Sequence, residues 1–144
     1  MAFEFRLKSV LKLREAAQQE RQQELAQIIQ VENLLKDQHE QLVQQLEEIE
    51  AELRSAQQQA INVDSLIALR RNINDARGAI RQVEAQQGEI AQELERRQVK
   101  LALANQEVQV MEKLEQKQRE EHQQRLQAQE QMQLDEFRRR GPQA

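Results

Sequence analysis

The chain has 144 residues and a formal net charge of −4, and its residues are 38% hydrophobic but only 2% aromatic. Glutamine alone accounts for 29 residues, so the chain cannot fill a broad core, although it can fill a narrow seam between two helices. The absence of cysteine excludes disulfides and thiolate metal sites. The mildly acidic balance argues against a dedicated nucleic-acid-binding protein, which would be basic overall.

The N-terminal stretch Met1 to Leu13 alternates basic and apolar residues. It lacks the continuous apolar region and the small-residue cleavage site of a secretory signal. Elsewhere no apolar run approaches the roughly 20 residues that a membrane span needs. These features predict a soluble, cytoplasmic protein.

A first apolar stripe begins at Leu25 and follows an alternating spacing of three and four residues. Nine of its eleven positions are apolar, and they are Leu25, Ile28, Glu32, Leu35, His39, Leu42, Leu46, Ile49, Leu53, Ala56 and Ala60. A repeat that averages about 3.5 residues is typical of a left-handed coiled coil rather than of a lone surface helix.

A second stripe with the same spacing opens at Leu66. Twelve of its fourteen positions are apolar, and they are Leu66, Leu69, Ile73, Ala76, Ile80, Val83, Gln87, Ile90, Leu94, Arg97, Leu101, Ala104, Val108 and Met111. The two stripes are out of phase, and the segment between them, Ile61 to Asp64, mixes β-branched residues with Asn and Asp, which are poor residues inside a helix. Asn62 or Asp64 is suited to cap the second helix.

We therefore predict an all-α fold, a long antiparallel two-helix coiled-coil hairpin that forms a single domain over residues 1–144. Helix 1 should span about residues 3–60, the turn about 61–65, and helix 2 about 65–139, with a short disordered tail at 140–144. One uninterrupted helix that forms an intermolecular dimer is the alternative, and the phase break disfavours it.

Charges give an independent indication. In a hairpin that turns near Asn62, an acidic run would face a basic one: Glu47, Glu48, Glu50 and Glu52 against Arg71, Asn72, Asn74 and Arg77. Two further groups would meet in the same way: Arg96, Arg97 and Lys100 near Glu20 and Glu24, and Arg6, Lys8, Lys12 and Arg14 near Glu112 and Glu115. Opposite charges beside a seam help to fix the orientation of the helices.

Catalytic chemistry finds no support in the sequence. Neither His39 nor His122 has a second histidine at zinc-binding helical spacing, and His39 falls on the seam as a polar position. Phosphate-binding glycine loops are absent, and a two-helix fold offers no pocket for a nucleophile and base. We expect no enzyme activity, no metal and no cofactor.

The two chain ends, which the hairpin brings together, carry more apolar residues than one seam can bury. They include Phe3, Phe5, Leu7, Val10, Leu11, Leu13, Leu134 and Phe137, of which the seam would cover about half of the N-terminal group. Such a surplus indicates a contact with another protein. A frayed or self-associating end is the competing interpretation.

Three patches resemble one protein family. The opening FEFRLKSVLKLRE at residues 3–15 is similar to the start of FliJ, the flagellar export protein family. MEKLEQKQ at residues 111–118 and LDEF at residues 134–137 resemble later patches of that family, in the same order.

The resemblance implies a non-enzymatic stalk of the flagellar type III export apparatus, similar to the two-helix part of the rotary ATP synthase gamma subunit. Its partners would be a hexameric export ATPase, which it would stimulate, the export gate protein, and export chaperones. It would be a monomer that binds no nucleic acid and reaches the inner face of the membrane only through partners. An adaptor coiled coil without a flagellar role, or the equivalent stalk of a virulence secretion system, is the alternative.

The same resemblance assigns candidate contacts to the two ends of the hairpin. The ATPase ring candidates lie at the open end: Phe3, Phe5, Leu7, Leu11, Arg14, Lys113, Lys117, Arg138, Arg139 and Arg140. The export gate candidates lie near the turn: Leu46, Ile49, Leu66, Leu69, Asn72 and Ile73.

Overall fold

The protein is described by a computed structural model that covers residues 2–59 and 62–141. Within these residues it consists of two α-helices, α1 (Lys8–Gln58) and α2 (Val63–Arg139), and contains no strand. The prediction of an all-α helical hairpin is confirmed. Neither helix has a stretch within the described residues that is long and apolar enough to cross a membrane.

Helix α1 begins at Lys8, later than the predicted residue 3. The Lys8 amide donates to the Phe5 carbonyl at 3.1 Å, and the Leu11 amide donates to the Leu7 carbonyl at 2.9 Å. The chain before Lys8 is not helical, and the Phe5 side chain that it carries is buried. Residues 3–7, which were predicted to begin the helix, are instead non-helical, and Phe5 packs against Leu11 and Val108.

Helix α2 begins at Val63, two residues before the predicted position, because Asn62 caps it. The Asn62 carbonyl accepts from the Ser65 and Leu66 amides at 3.1 and 3.3 Å. Its side-chain oxygen accepts from the Asp64 amide at 3.3 Å, which satisfies one of the amides left open at a helix start. The first connection residues, Ala60 and Ile61, lie outside the described residues, as does the tail from Pro142.

The contacts divide into two units. The terminal unit comprises Met1–Arg21 and Leu101–Ala144, and the central unit comprises Gln22–Lys100. Each unit pairs a segment of α1 with a segment of α2. The prediction of one domain over the whole chain stays a prediction.

The predicted seams lie between the helices in each unit. Every predicted seam residue from Leu25 to Ala56 and from Leu66 to Met111 is buried or half-buried, and Ala60 lies outside the described residues. The most deeply buried ones in the central unit are Ile28, Ala56, Ile73 and Val83. A spacing of 3.5 residues thus places one continuous stripe of each helix against its neighbour.

Polar contacts show that the helices of the central unit are antiparallel. Arg77 lies 3.4 Å from Glu50, and His39 lies 3.0 Å from Glu84. Arg97 donates to the Glu24 carbonyl at 2.6 Å. As the position on α1 rises from Glu24 to Glu50, the partner on α2 falls from Arg97 to Arg77, as expected for an antiparallel pair.

Candidate partner-binding surfaces

A small apolar cluster joins the helices of the terminal unit. Phe5, Leu11 and Val108 form its buried centre, with exposed fractions of 4–8%. Phe3, Met111 and Leu114 pack against this centre and are partly buried. Because Phe5 precedes α1, the cluster fixes the N-terminal segment onto α2.

The Phe3 ring lies between two polar side chains of α2. Its centroid is 5.6 Å from that of the His122 ring, and the Arg119 guanidinium carbon lies 5.4 Å from it. A guanidinium at this distance from an aromatic ring gains a modest cation–π attraction. Arg119 is also held by Glu115, one helical turn earlier, at 3.1 Å.

Beyond His122 the side chains of α2 have little cover. All residues from Gln123 to Arg140 are exposed except Leu126, which is half-buried. Leu134 and Phe137 are 54% and 71% exposed and lie three residues apart, which places them on neighbouring parts of one helix face. We call residues 123–140 the C-terminal segment.

The C-terminal segment ends in three cations. Arg138, Arg139 and Arg140 are exposed, and none of them has an ion-pair partner among the residues that the structure describes. Arg138 and Arg139 fall in the last turn of α2, where the helix dipole favours positive charge. The segment therefore presents apolar side chains and a basic end that the described residues leave largely uncovered.

The central unit carries a polar layer inside its seam. Arg97 is half-buried and donates both to the Glu24 carbonyl and, at 2.9 Å, to the Glu93 carboxylate. Arg96 donates to the same carboxylate at 3.1 Å. These hydrogen bonds, from Arg97 first and Arg96 second, hold the pKa of the Glu93 carboxyl below its usual value.

Among the described residues, no group of three His, Asp or Glu side chains is placed to hold a metal ion. The depressions lined by described residues are open to solvent, and those residues are mainly Gln, Glu, Arg and Lys with a few aliphatic side chains.

The model of the flagellar FliJ protein family matches residues 3–143, which is nearly the whole chain. The chain belongs to the FliJ family. The resemblance of the three sequence patches is therefore confirmed, and the chain is a flagellar export-related protein. Neither the curated proteins nor the solved structures include a match to it.

The ATPase ring candidates of this FliJ-family chain fall into two groups. Phe5 and Leu11 are buried and Phe3 is half-buried in the cluster, whereas Leu7 is exposed and Arg14 pairs with Glu107 at 3.0 Å. The remaining candidates are exposed cations: Lys113, Lys117, Arg138, Arg139 and Arg140. Of the ten candidates, Leu7, Arg14 and the five cations are exposed, and the roles of all ten as ring contacts stay predictions.

The export gate candidates lie mostly between the helices. Ile73 is buried, and only Asn72 is exposed. The others are half-buried seam residues: Leu46, Ile49, Leu66 and Leu69. Their roles as gate contacts stay predictions, and the seam contacts account for most of these side chains.

Sequence reasoning missed two exposed aliphatic residues beside the turn, Val63 and Ile67. Both fall outside the second stripe, and neither contributes to the 3,4 spacing. A search for apolar residues of helix 2 that do not belong to the stripe would have identified both. Their neighbours Arg70 and Arg71 are exposed as well.

The polar layer leads to a prediction about acid stability. Because the native pKa of Glu93 is depressed, its contribution to stability is fully present above the usual value of 4.5 and is lost as the pH falls through the native pKa. We therefore expect Glu93→Gln to lower the melting temperature at neutral pH, and the difference from the unaltered chain to shrink below about pH 4.5.

Thermal melts followed by circular dichroism across this range would measure the effect. Glu95→Gln is the matched control, because Glu95 is exposed on the same helix and has no ion-pair partner within the described residues. It should give a small difference at every pH. A Glu93→Gln difference that does not change with pH would contradict the linkage.

Proposed function

We propose that this FliJ-family chain is a non-enzymatic stalk and adaptor of the flagellar type III export apparatus. It binds and stimulates the hexameric export ATPase and links that ring to the export gate and to export chaperones. The chain acts as a monomer in the cytoplasm, at the inner face of the cell membrane, which it reaches only through its partners.

The C-terminal segment is the observation that carries this proposal. Leu134 and Phe137 face water, and burial of such side chains by another protein makes the free energy of binding more favourable. Three exposed arginines at its end, which form no ion pair with the described residues, favour a surface that carries carboxylates, since guanidinium and carboxylate form paired hydrogen bonds. An apolar sleeve with an acidic rim on the ATPase ring would satisfy both requirements.

Stimulation needs no catalytic group on this chain. A ligand changes an equilibrium between two states only when it binds them with different affinity. The segment would raise ATP turnover by contacting the ring more favourably in the conformation that the slow step requires. The paired helices behind the segment would hold it in place, because their seam is continuous within each unit.

Charge reversal tests the proposal. We expect the triple variant Arg138→Glu, Arg139→Glu and Arg140→Glu to need at least about tenfold more chain for half-maximal ATPase stimulation, because exposed attractions become repulsions. The measurement is the rate of ATP hydrolysis by the purified export ATPase as the chain is titrated. Circular dichroism should show unchanged helix content, because these residues lie at the end of α2.

The matched control reverses three exposed cations elsewhere, Lys36→Glu, Arg81→Glu and Lys100→Glu. It changes the net charge by the same amount and should stimulate like the unaltered chain. Equal weakening by both variants would mean that the effect reflects net charge alone. An unaltered chain that does not stimulate the ATPase at all would refute the proposed function.

A further inference from the structure

The start of α2 carries an exposed face that the seam does not use. It consists of Val63, Ile67, Arg70, Arg71 and Asn74, all of them exposed, and we call it the tip face. Val63 and Ile67 are 65% and 53% exposed. Residues separated by four, seven and eleven positions lie on one side of a helix, so Val63, Ile67, Arg70 and Asn74 form one stripe, with Arg71 at its edge.

Packing between the helices does not explain this stripe. The residues of α2 that face α1 here are Leu66, Leu69 and Ile73, which are half-buried or buried. Val63 and Ile67 lie one turn apart on the side of α2 that adjoins the seam, about a quarter of the way around the helix, and they leave apolar surface in water next to the turn. Burial of this apolar pair by a further contact would be favourable, because it would remove the two side chains from water.

The cations of the tip face are not used in ion pairs between the described residues. Arg70 and Arg71 have no ion-pair partner among the described residues, whereas Arg77, two turns later, pairs with Glu50. The helix dipole gives them no support either, because the positive end of α2 is the end near which they lie. Arg54, near the end of α1, is a third exposed cation without an ion-pair partner in the described part of the chain.

We propose that the tip face binds a segment of a partner protein in which carboxylates flank an aliphatic or aromatic side chain. This inference rests on the proposed function, in which the export gate is a partner, and it adds both the place and the chemistry of that contact. Val63 and Ile67 would receive the apolar side chain, and Arg70 and Arg71 would pair with the carboxylates. The seam residues Leu66, Leu69 and Ile73, on the adjoining side of α2, would hold the face in place through their contacts with α1.

Charge disfavours a second copy of this chain as the occupant. A symmetric pair uses the same patch on both subunits, so it would gather four arginines at one interface to which the tip face contributes no carboxylate. Like charges gathered in this way are unfavourable. An acidic segment of a different protein is the complementary occupant.

Titration of the purified cytoplasmic domain of the export gate with the full chain, followed by calorimetry, tests this inference. Two variants alter the two chemical components of the face: Arg70→Glu with Arg71→Glu, and Ile67→Asp. We expect each to weaken binding about tenfold or more, as charge complementarity and apolar burial are lost in turn. Binding of the unaltered chain should also weaken as salt is raised, because exposed charge pairs are screened.

Lys36→Glu with Lys100→Glu is the matched control, since it makes the same change in net charge on exposed residues of the central unit. It should bind the gate domain like the unaltered chain. All variants should keep their helix content and their stimulation of the export ATPase, which separates the tip face from the C-terminal segment.

The outcomes separate this inference from the function on which it rests. If the gate domain binds the tip variants as tightly as the unaltered chain, the tip face is not the site, while the stalk function stands. If the unaltered chain stimulates the ATPase but does not bind the gate domain, the tip face inference is overturned. Binding of the unaltered chain to anionic phospholipid vesicles, lost in the arginine variant and absent with the gate domain, would overturn it in favour of a lipid surface.

Discussion

Phe5→Ala should lower the free energy of unfolding of the terminal unit by about 3 kcal/mol, a typical value for truncation of a buried phenylalanine. Phe5 is only 6% exposed and forms the centre of the apolar cluster with Leu11 and Val108. The segment that carries it precedes α1, and side-chain contacts with α2 hold it there. Leu13→Ala is the matched control, because Leu13 is 70% exposed and its truncation should change stability by less than about 0.5 kcal/mol.

Urea unfolding followed by circular dichroism would measure both variants, and amide hydrogen exchange would localise the loss to residues before and within the first turns of α1. Equal behaviour of the two variants would mean that the cluster does not hold the N-terminal segment. Phe5→Met provides a further distinction, because a hydrophobic replacement that fills most of the volume preserves packing. If Phe5→Ala impairs ATPase stimulation and Phe5→Met restores it, Phe5 acts by ordering this segment rather than by touching the ring.

The helix pairing was predictable from sequence because a seam has a simple period. Polar residues at seam positions did not obscure it, since Glu32, His39, Gln87 and Arg97 are all half-buried as the spacing requires. An apolar stripe with an average step of 3.5 residues leaves a helix little freedom in which side it buries. The start of α2 was readable to within about two residues, because Asn62, one of the two predicted caps, has a side chain that caps a helix start.

Individual charge pairs were harder to predict. The contact of Glu50 with Arg77 was among the facing groups expected, but Arg97, expected near Glu20 and Glu24, binds the backbone carbonyl of Glu24 and the carboxylate of Glu93. A long side chain beside a seam can reach several acceptors at similar free energy. The sequence therefore predicts which segments of the two helices face each other better than it predicts which atoms pair.

The start of α1 escaped prediction for a related reason. Nothing local in the opening residues forbids a helix at Phe3, and the deciding contacts come from Met111 and Leu114 on α2. Such tertiary contacts override local helix preference. Tertiary contacts also decide which apolar residues of the candidate surfaces are exposed. The density of apolar residues in the sequence does not distinguish Phe5, which is buried, from Phe137, which is 71% exposed.

Ile73→Ala should destabilise the central unit by about 2–4 kcal/mol, because it removes a side chain that is only 6% exposed from the helix interface. Asn72→Ala, one residue earlier and exposed, should change stability by no more than about 0.5 kcal/mol. Urea unfolding with circular dichroism would measure both. A loss below 1 kcal/mol for Ile73→Ala would mean that the seam at this level is loosely packed.

Binding measurements on Ile73→Ala would also show whether Ile73 acts only in the seam or contacts a partner at the turn. Well below its melting temperature, Ile73→Ala should bind the gate domain within about threefold of the unaltered chain, because a buried side chain that only supports a face affects binding indirectly. A direct contact would behave differently, with a large loss of affinity at a temperature where the helices remain folded. That result would require Ile73 to leave the seam on binding, which would make opening of the helix pair part of the interaction.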